Sequence, residues 1–157
     1  MRRPAAVLGT GIVAISSFVV GSPSAMGDLG ASEFRLKAIT VHEQYNDIGK
    51  KNESLGDTFT FTEKLFHGGE RVGRDAVTCT IITARPSAFR LLCWGTLTLF
   101  GRGDLTVHGK VLFREGATAL PELAVTGGTG DYAGASGTMT LDEGTGRASR
   151  YLITLLP

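Results

Sequence analysis

The sequence lacks the features by which composition alone would indicate a function. Its 157 residues carry 16 Lys and Arg against 15 Asp and Glu, so no excess of positive charge indicates nucleic-acid binding. Only 5 prolines are present, and the 22 glycines follow no G-x-y period, which excludes collagen. The 3 histidines and 2 cysteines show no metal-ligand spacing. We therefore expect no metal and no cofactor.

The first 25 residues are typical of a secretory signal peptide. Two arginines precede an apolar run over residues 5–20, and small residues follow it up to Ala25. The alternative, a membrane anchor, is disfavoured because the run is shorter than the roughly 20 apolar residues of a spanning helix. We expect residues 1–25 to be removed, residues 26–33 to form a flexible segment, and the exported protein to have no stable membrane anchor.

Short runs rich in Thr, Val, Ile, Leu and Phe, separated by turn residues, predict strands from residue 34 onward. Alternation is clearest from Asp57 to Glu63, where Phe59, Phe61 and Glu63 share one face. The predicted strands are residues 34–44, 57–66, 71–83, 89–100, 104–113, 122–126, 132–142 and 147–155. The fold class is therefore all-β. Residues 34–157 are expected to form an eight-stranded antiparallel β-barrel, with an open sandwich as the alternative.

The two cysteines provide a test of strand register. If the third and fourth strands pair about Pro86, Cys79 lies directly opposite Cys93, within disulfide reach. An oxidising compartment favours a disulfide there, and two buried free thiols are the alternative. The same register puts Leu97 and Leu99 on the face of the cysteines and Trp94 on the opposite face.

The glycine-rich segment at residues 126–137 has the wrong spacing for a phosphate-binding loop, and no helix pattern follows it. We interpret it as a tight turn, after which Gly134 and Gly137 bend a strand that begins at Tyr132.

Two carboxylates interrupt apolar strand faces. Glu43 is predicted to share a face with Ile39 and Val41, and Glu63 shares one with Phe59 and Phe61. Apolar surroundings disfavour the charged form of a carboxyl group and suit it to general acid or base catalysis. Alternatively, both lie in water at strand ends.

Several segments together resemble the allene oxide cyclase and dirigent barrel superfamily. They are VHE at 41–43, LGD at 55–57, FTEKLF at 61–66, VG at 72–73, TC at 78–79, GDLTVHG at 103–109 and AVTGGTG at 124–130. The resemblance implies an eight-stranded barrel with an apolar cavity that is often trimeric, so a homotrimer is one expectation. Family members hold a reactive intermediate in one conformation while it cyclises or couples.

The resemblance also implies roles for individual residues. Glu43 resembles the glutamate by which plant cyclases steer substrate charge, and Cys79 resembles a cysteine of their cavity wall. Tyr45 and Glu63 stand where those cyclases have water-binding asparagines.

Together these observations predict a secreted, extracellular barrel that binds a small hydrophobic molecule and steers its cyclisation or coupling. A non-catalytic carrier or scavenger is the alternative. Glu43 and Glu63 are the candidate catalytic residues. The candidate ligand-binding residues are Tyr45, Phe59, Phe61, Cys79, Leu97 and Leu99.

Overall fold

Eight antiparallel strands form a closed barrel in the computed structural model, which describes residues 32–85, 88–114, 120–143 and 147–157. Each strand pairs with the next, and the last pairs with the first. The strands are β1 (Glu33–Asn46), β2 (Thr58–His67), β3 (Glu70–Arg85), β4 (Ala88–Leu99), β5 (Gly103–Arg114), β6 (Glu122–Gly128), β7 (Gly137–Glu143) and β8 (Ala148–Leu155). The predicted barrel is confirmed over the sandwich. The predicted signal peptide lies outside the described residues, as does most of segment 26–33.

Alternation along each strand separates a packed interior from a polar exterior. On β2, Phe59, Phe61 and Glu63 face inward, whereas the intervening threonines take outward positions. The inward residues of all eight strands form one hydrophobic core, in which Leu65 and Ile81 are fully buried. Burial of this apolar surface is the main favourable contribution to folding.

The two ends of the barrel differ in how well they cover the interior. At the end with the turns after β2 and β4, which we name the closed end, inward residues such as Leu99 and Leu105 are at most 1% exposed. At the opposite end, which we name the open end, Phe59, Phe61 and Leu141 face inward but are only partly buried. The interior is therefore accessible along β1, β2 and β7 at the open end.

A β-bulge changes the face on which the second half of β1 lies. Thr40 pairs with Glu63, but the next pair joins His42 to Thr62, so Val41 is the extra residue. A bulge of this kind reverses the alternation that follows it. The prediction that Glu43 shares a face with Ile39 and Val41 is therefore wrong.

Beyond the bulge, the second half of β1 lies on the inward face at the open end. Glu43 is opposite Phe61, and Tyr45 is opposite Phe59. Both Glu43 and Tyr45 are exposed, because they lie at the rim of the open end.

The predicted pairing of the two cysteines is confirmed. Cys79 lies directly opposite Cys93 in the register of β3 and β4, and a disulfide joins them with 4.0 Å between the Cα atoms. Both are buried and face inward, whereas Trp94 is 47% exposed on the outer face. The register expected about Pro86 holds up to Ile81, beyond which β3 contains a bulge.

The glycine-rich segment forms a longer connection than predicted. Residues Gly130–Tyr132 make a single 3-10 turn, and β7 begins only at Gly137, so the prediction of a strand from Tyr132 is wrong. Gly130 and Gly134 adopt φ values of +59° and +77°, which glycine tolerates and which end the extended backbone. The turn places Tyr132 in the core at the closed end.

The disulfide is expected to stabilise the barrel. It spans a sequence separation of 14 residues, and a loop of this length gives a stabilisation of about 3 kcal/mol in the chain-entropy model. Urea denaturation should therefore show a lower free energy of unfolding for the Cys79→Ala/Cys93→Ala double variant, by an amount near this value. An unchanged midpoint and slope would contradict the expectation.

Candidate functional site

A pair of buried carboxyl groups lies in the middle of the barrel interior. Glu63 on β2 and Asp75 on β3 are directly opposite each other and are 4% and 3% exposed. Leu97 on β4 lies opposite Asp75 and is fully buried, so the pair has an apolar neighbour on that side. Buried carboxyl groups are uncommon unless they are paired, which makes this pair the strongest candidate for chemistry.

Two hydroxyl groups donate hydrogen bonds to Glu63. The Oγ1 of Thr40 on β1 donates to Oε1 over 2.8 Å, and the hydroxyl of Tyr151 on β8 donates to Oε2. Burial is the main cause that raises the pKa of Tyr151 well above its usual value, followed by the charges of Asp75 and Glu63. Tyr151 therefore keeps its proton and acts as a donor.

Asp75 differs from Glu63 because it has no such donors. Neither of its carboxyl oxygens has a hydrogen-bond partner of acceptable geometry among the described residues, although both are buried. Glu63 and Tyr151 are near enough to affect its ionisation. Burial, followed by the charge of Glu63, raises the pKa of Asp75 to about 8. At neutral pH, Asp75 is therefore mostly a neutral acid beside the hydrogen-bonded Glu63.

An aromatic wall extends from this pair to the rim of the open end. Phe61 and Phe59 follow Glu63 on the inward face of β2, and the ring of Tyr45 lies 4.9 Å from that of Phe59 between centroids. Cys79 lies opposite Phe59, so the disulfide forms the adjoining part of the wall.

The structure brings together most of the residues suggested by the sequence. Glu63, Phe59, Phe61, Cys79 and Leu97 lie on one continuous part of the inward face. Their roles stay predictions.

Of the other predicted site residues, Leu99 lies apart from this group, deep at the closed end and opposite Gly73. Glu43 and Tyr45 adjoin the group on β1, at the rim of the open end. Their proposed roles also stay predictions.

Sequence reasoning missed Asp75 and Tyr151. The cysteine register already places Asp75 opposite Leu97 and on the face of Val77, so extending the same alternation would have found a carboxyl group there. Tyr151 alternates with the buried Ile153 on β8, but its hydroxyl partner is 88 residues away in the sequence. Only the closed barrel shows that contact.

Asp57 fixes the segment that follows β1 to the rim. Its carboxylate is fully buried and accepts hydrogen bonds from the Tyr45 hydroxyl over 2.6 Å and from the backbone N–H groups of Ile48 and Ser54, each over 2.7 Å. The Tyr45 hydrogen bond is the main cause that lowers the pKa of Asp57, against the opposing effect of burial.

Two grooves lie along the barrel wall. The larger groove, of about 630 Å³, lies across β7, β8, β1 and β2 and includes Arg35, Lys37 and Arg150. The smaller, of about 450 Å³, includes the positive side chains of Lys64 and Arg71, and Glu63 and Asp75 also contribute to its lining.

Within the described ranges, no group of three or more His, Cys, Asp or Glu is placed to hold a metal ion. The same part of the chain contains no helix long and apolar enough to cross a membrane.

The pH dependence of stability should show the cost of burying Asp75. Its pKa rises from 3.8 to about 8 on folding, so its contribution to stability is greatest below about pH 4 and is lost as the pH rises to about 8. This loss amounts to at most about 1.4 kcal/mol per pH unit. Asp75→Asn keeps the shape but does not titrate. The free energy of unfolding measured by urea denaturation should therefore increase for Asp75→Asn, relative to the original protein, between about pH 5 and about pH 8. An equal difference at both pH values would contradict this expectation.

The hydrogen bond from Tyr45 to Asp57 should give stability the opposite dependence on pH. Because the pKa of Asp57 is lowered, its interactions stabilise the fold above its usual pKa of 3.8, and this contribution is lost as the pH falls through the lowered value. Tyr45→Phe should lower the Tm by a few degrees, on the order of 3–5 °C, near neutral pH and by less in acid. Thermal denaturation followed by circular dichroism tests this, and an equal decrease at every pH would contradict it.

Comparisons with known proteins agree with this architecture. A solved structure named pyocyanin demethylase superimposes with a TM-score of 0.69 and 26% identity, over 79% of this chain and 99% of that one. The Diels Alderase AbmU from Streptomyces koyangensis gives a TM-score of 0.58 and 15% identity, over 80% and 69%. The pterocarpan synthase dirigent protein PsPTS1 gives 0.54 and 16%, over 78% and 90%.

The last two likenesses show the fold alone. No curated protein sequence matches the chain. Residues 37–152, however, match the family model described as the allene oxide cyclase barrel like domain, which spans most of the chain. This protein therefore belongs to the allene oxide cyclase barrel-like family.

Proposed function

We propose that this protein binds a small, mostly apolar molecule through the open end of its barrel and catalyses an isomerisation, such as a cyclisation, by proton transfer at Glu63 and Asp75. The observation that carries the proposal is the buried carboxyl pair, of which one member holds a proton at neutral pH. A group with a pKa near the working pH is suited to general acid and base catalysis.

The two carboxyl groups have different tasks because their surroundings differ. Asp75, as a neutral acid, donates its proton to an electron-rich oxygen of the ligand while a ring closes or a double bond moves. Glu63, fixed by Thr40 and Tyr151, stabilises the positive charge that develops on the neighbouring carbon, or accepts a proton from it. Where Glu63 only stabilises the charge, the ligand oxygen returns its proton to Asp75; where Glu63 accepts a proton from the ligand, that proton passes to Asp75. Both groups are then restored, so the product is an isomer of the substrate and no oxidant is consumed.

The aromatic wall supports binding and conformational control. Phe59, Phe61 and Tyr45 offer flat apolar surfaces between the rim and the carboxyl pair. Holding a flexible substrate against such a wall restricts it to conformers that can react, which is a major source of rate acceleration. Glu43 lies at the rim, and its proposed role is to orient the molecule as it enters.

A neighbour of 26% identity supports a small-molecule ligand. It is named pyocyanin demethylase, and pyocyanin is a planar heteroaromatic molecule. A ligand of similar size fits the proposal that a flat molecule lies against the aromatic wall. Diels–Alder and dirigent activities are properties of the other neighbours and support only a general role in directing ring formation or coupling.

We also propose that the protein acts outside the cell. The Cys79–Cys93 disulfide supports this because disulfides persist in oxidising compartments. Native mass spectrometry of protein from the culture medium would measure the mass of the mature chain and the number of subunits, and so test both export and the expected homotrimer.

Turnover is best tested on the metabolites of the producing organism. An organic extract of its culture medium is incubated with the protein, and liquid chromatography with mass spectrometry follows compounds that change retention time at constant mass. Glu63→Gln and Asp75→Asn should each slow such a conversion by about 100-fold or more, in line with the loss of a general acid or base.

A matched control is available on the outer surface. Asp131→Asn neutralises an exposed carboxylate that pairs with Arg102, and it should convert the same compound at the original rate. Full activity of both Glu63→Gln and Asp75→Asn would disprove the proposed mechanism. A ligand that is retained but never altered would instead support a non-catalytic carrier, the second candidate, which the exposed aromatic surface at the rim also fits.

A further inference from the structure

The inward face of the barrel carries charge of one sign. Its described carboxyl groups are Glu63 and Asp75 in the middle and Glu43 at the rim, beside the hydroxyl groups of Tyr151 and Tyr45. No Lys or Arg of the described strands takes an inward register position. Those on the strands around the site are outward, namely Arg35, Lys37, Lys64, Arg74, Arg90, Lys110 and Arg150.

Asp75 independently indicates that the interior is built for a ligand. Both carboxyl oxygens are buried and have no hydrogen-bond partner among the described residues, and the side chain is 3% exposed. An unsatisfied buried polar group is costly, and a bound molecule that interacts with it removes that cost. The neighbouring Glu63 already has two donors and does not need one from a ligand.

We propose that the interior site, which is the site of the proposed function, selects planar aromatic cations and rejects anions. Opposite charge favours the cation in the low-dielectric interior, and no inward Lys or Arg of the described strands neutralises an anion there. The faces of Phe59, Phe61 and Tyr45 add cation–π attraction, since an aromatic ring presents a negative face.

A cation that binds beside Asp75 displaces its proton, and this displacement gives cation binding a defined pH dependence. Below about pH 8, the neutral form of Asp75 predominates, and a cation must displace its proton. The affinity for a cation should therefore rise with pH up to about 8 and then level off. The ionisable groups that face Asp75 are Glu63 on β2 and Tyr151 on β8, and its neighbour on β4 is the uncharged Leu97.

Three probes with the same ring system separate the effect of charge on affinity from the effect of aromatic stacking. N-methylphenazinium is a permanent cation, phenazine is neutral, and phenazine-1-carboxylate is an anion. Their affinities for the full chain are measured in the dark by isothermal titration calorimetry at about pH 6 and about pH 8.5. At the higher pH, the cation should bind at least about tenfold more tightly than the carboxylate.

The variants assign this preference to the interior. From the lower to the higher pH, cation affinity should rise about tenfold or more in the original protein and stay nearly constant in Asp75→Asn. Glu63→Gln should reduce the ratio of cation to anion affinity. Asp131→Asn, which neutralises a carboxylate that lines neither groove, should behave as the original protein.

The outer grooves need a separate control because they carry basic residues. Binding of the carboxylate probe that Arg150→Ala weakens belongs to the larger groove, and binding that Arg71→Ala weakens belongs to the smaller groove. Both are subtracted from the comparison. Equal affinity of the interior for cation and anion, a pH dependence that persists in Asp75→Asn, or failure of all three probes to bind would overturn the inference.

These outcomes are distinct from failure of the proposed isomerisation. A cation preference that depends on Asp75, together with no isomerisation in the metabolite assay, would support charge selection and disprove the catalytic role. Isomerisation that depends on Glu63 and Asp75, together with no preference between the probes, would support the catalytic role and disprove charge selection.

Discussion

The pairing of β2 with β3 places two carboxyl groups opposite each other inside a closed barrel, and the properties of the site depend on this constraint. Burial and the charge of Glu63 raise the pKa of Asp75, and the hydroxyl donors are distributed unequally between the two groups. Thr40 and Tyr151, from β1 and β8, both donate to Glu63, so Asp75 is the group that holds the proton. Barrel closure is what brings β8 to β1, and without it Tyr151 would not be near Glu63.

The sequence predicted much of the fold because the relevant signals are local. Inward and outward positions on β2 follow directly from alternation between Phe and Thr, and the cysteine pair sets the register of β3 against β4. Glu63 could be identified as inward-facing from the same alternation. These inferences hold because a strand has a fixed period of two, which packing in the barrel does not change.

The remaining features depend on interactions that alternation does not encode. The extra residue at Val41 reverses the second half of β1, and only its pairing with β2 shows where the bulge lies. The delayed start of β7 depends on glycines with positive φ and on the packing of Tyr132, whose turn replaces the expected strand. The hydrogen bond of Tyr151 to Glu63 joins residues that are far apart in the chain, so it follows from topology and not from local pattern.

The energetic cost of burying the carboxyl pair indicates that the pair serves chemistry and not stability. A hydrophobic residue in the place of Asp75 would pack beside Leu97 and avoid the cost of a buried group without hydrogen-bond partners. The rest of the barrel tolerates this cost because its closed end is well packed and the disulfide ties β3 to β4. The pair also lies at the inner end of the aromatic wall, next to Phe61 on β2. A ligand entering from the rim would reach the carboxyl pair only after its apolar surface had contacted Tyr45, Phe59 and Phe61, so binding and proton transfer would occur in one continuous space.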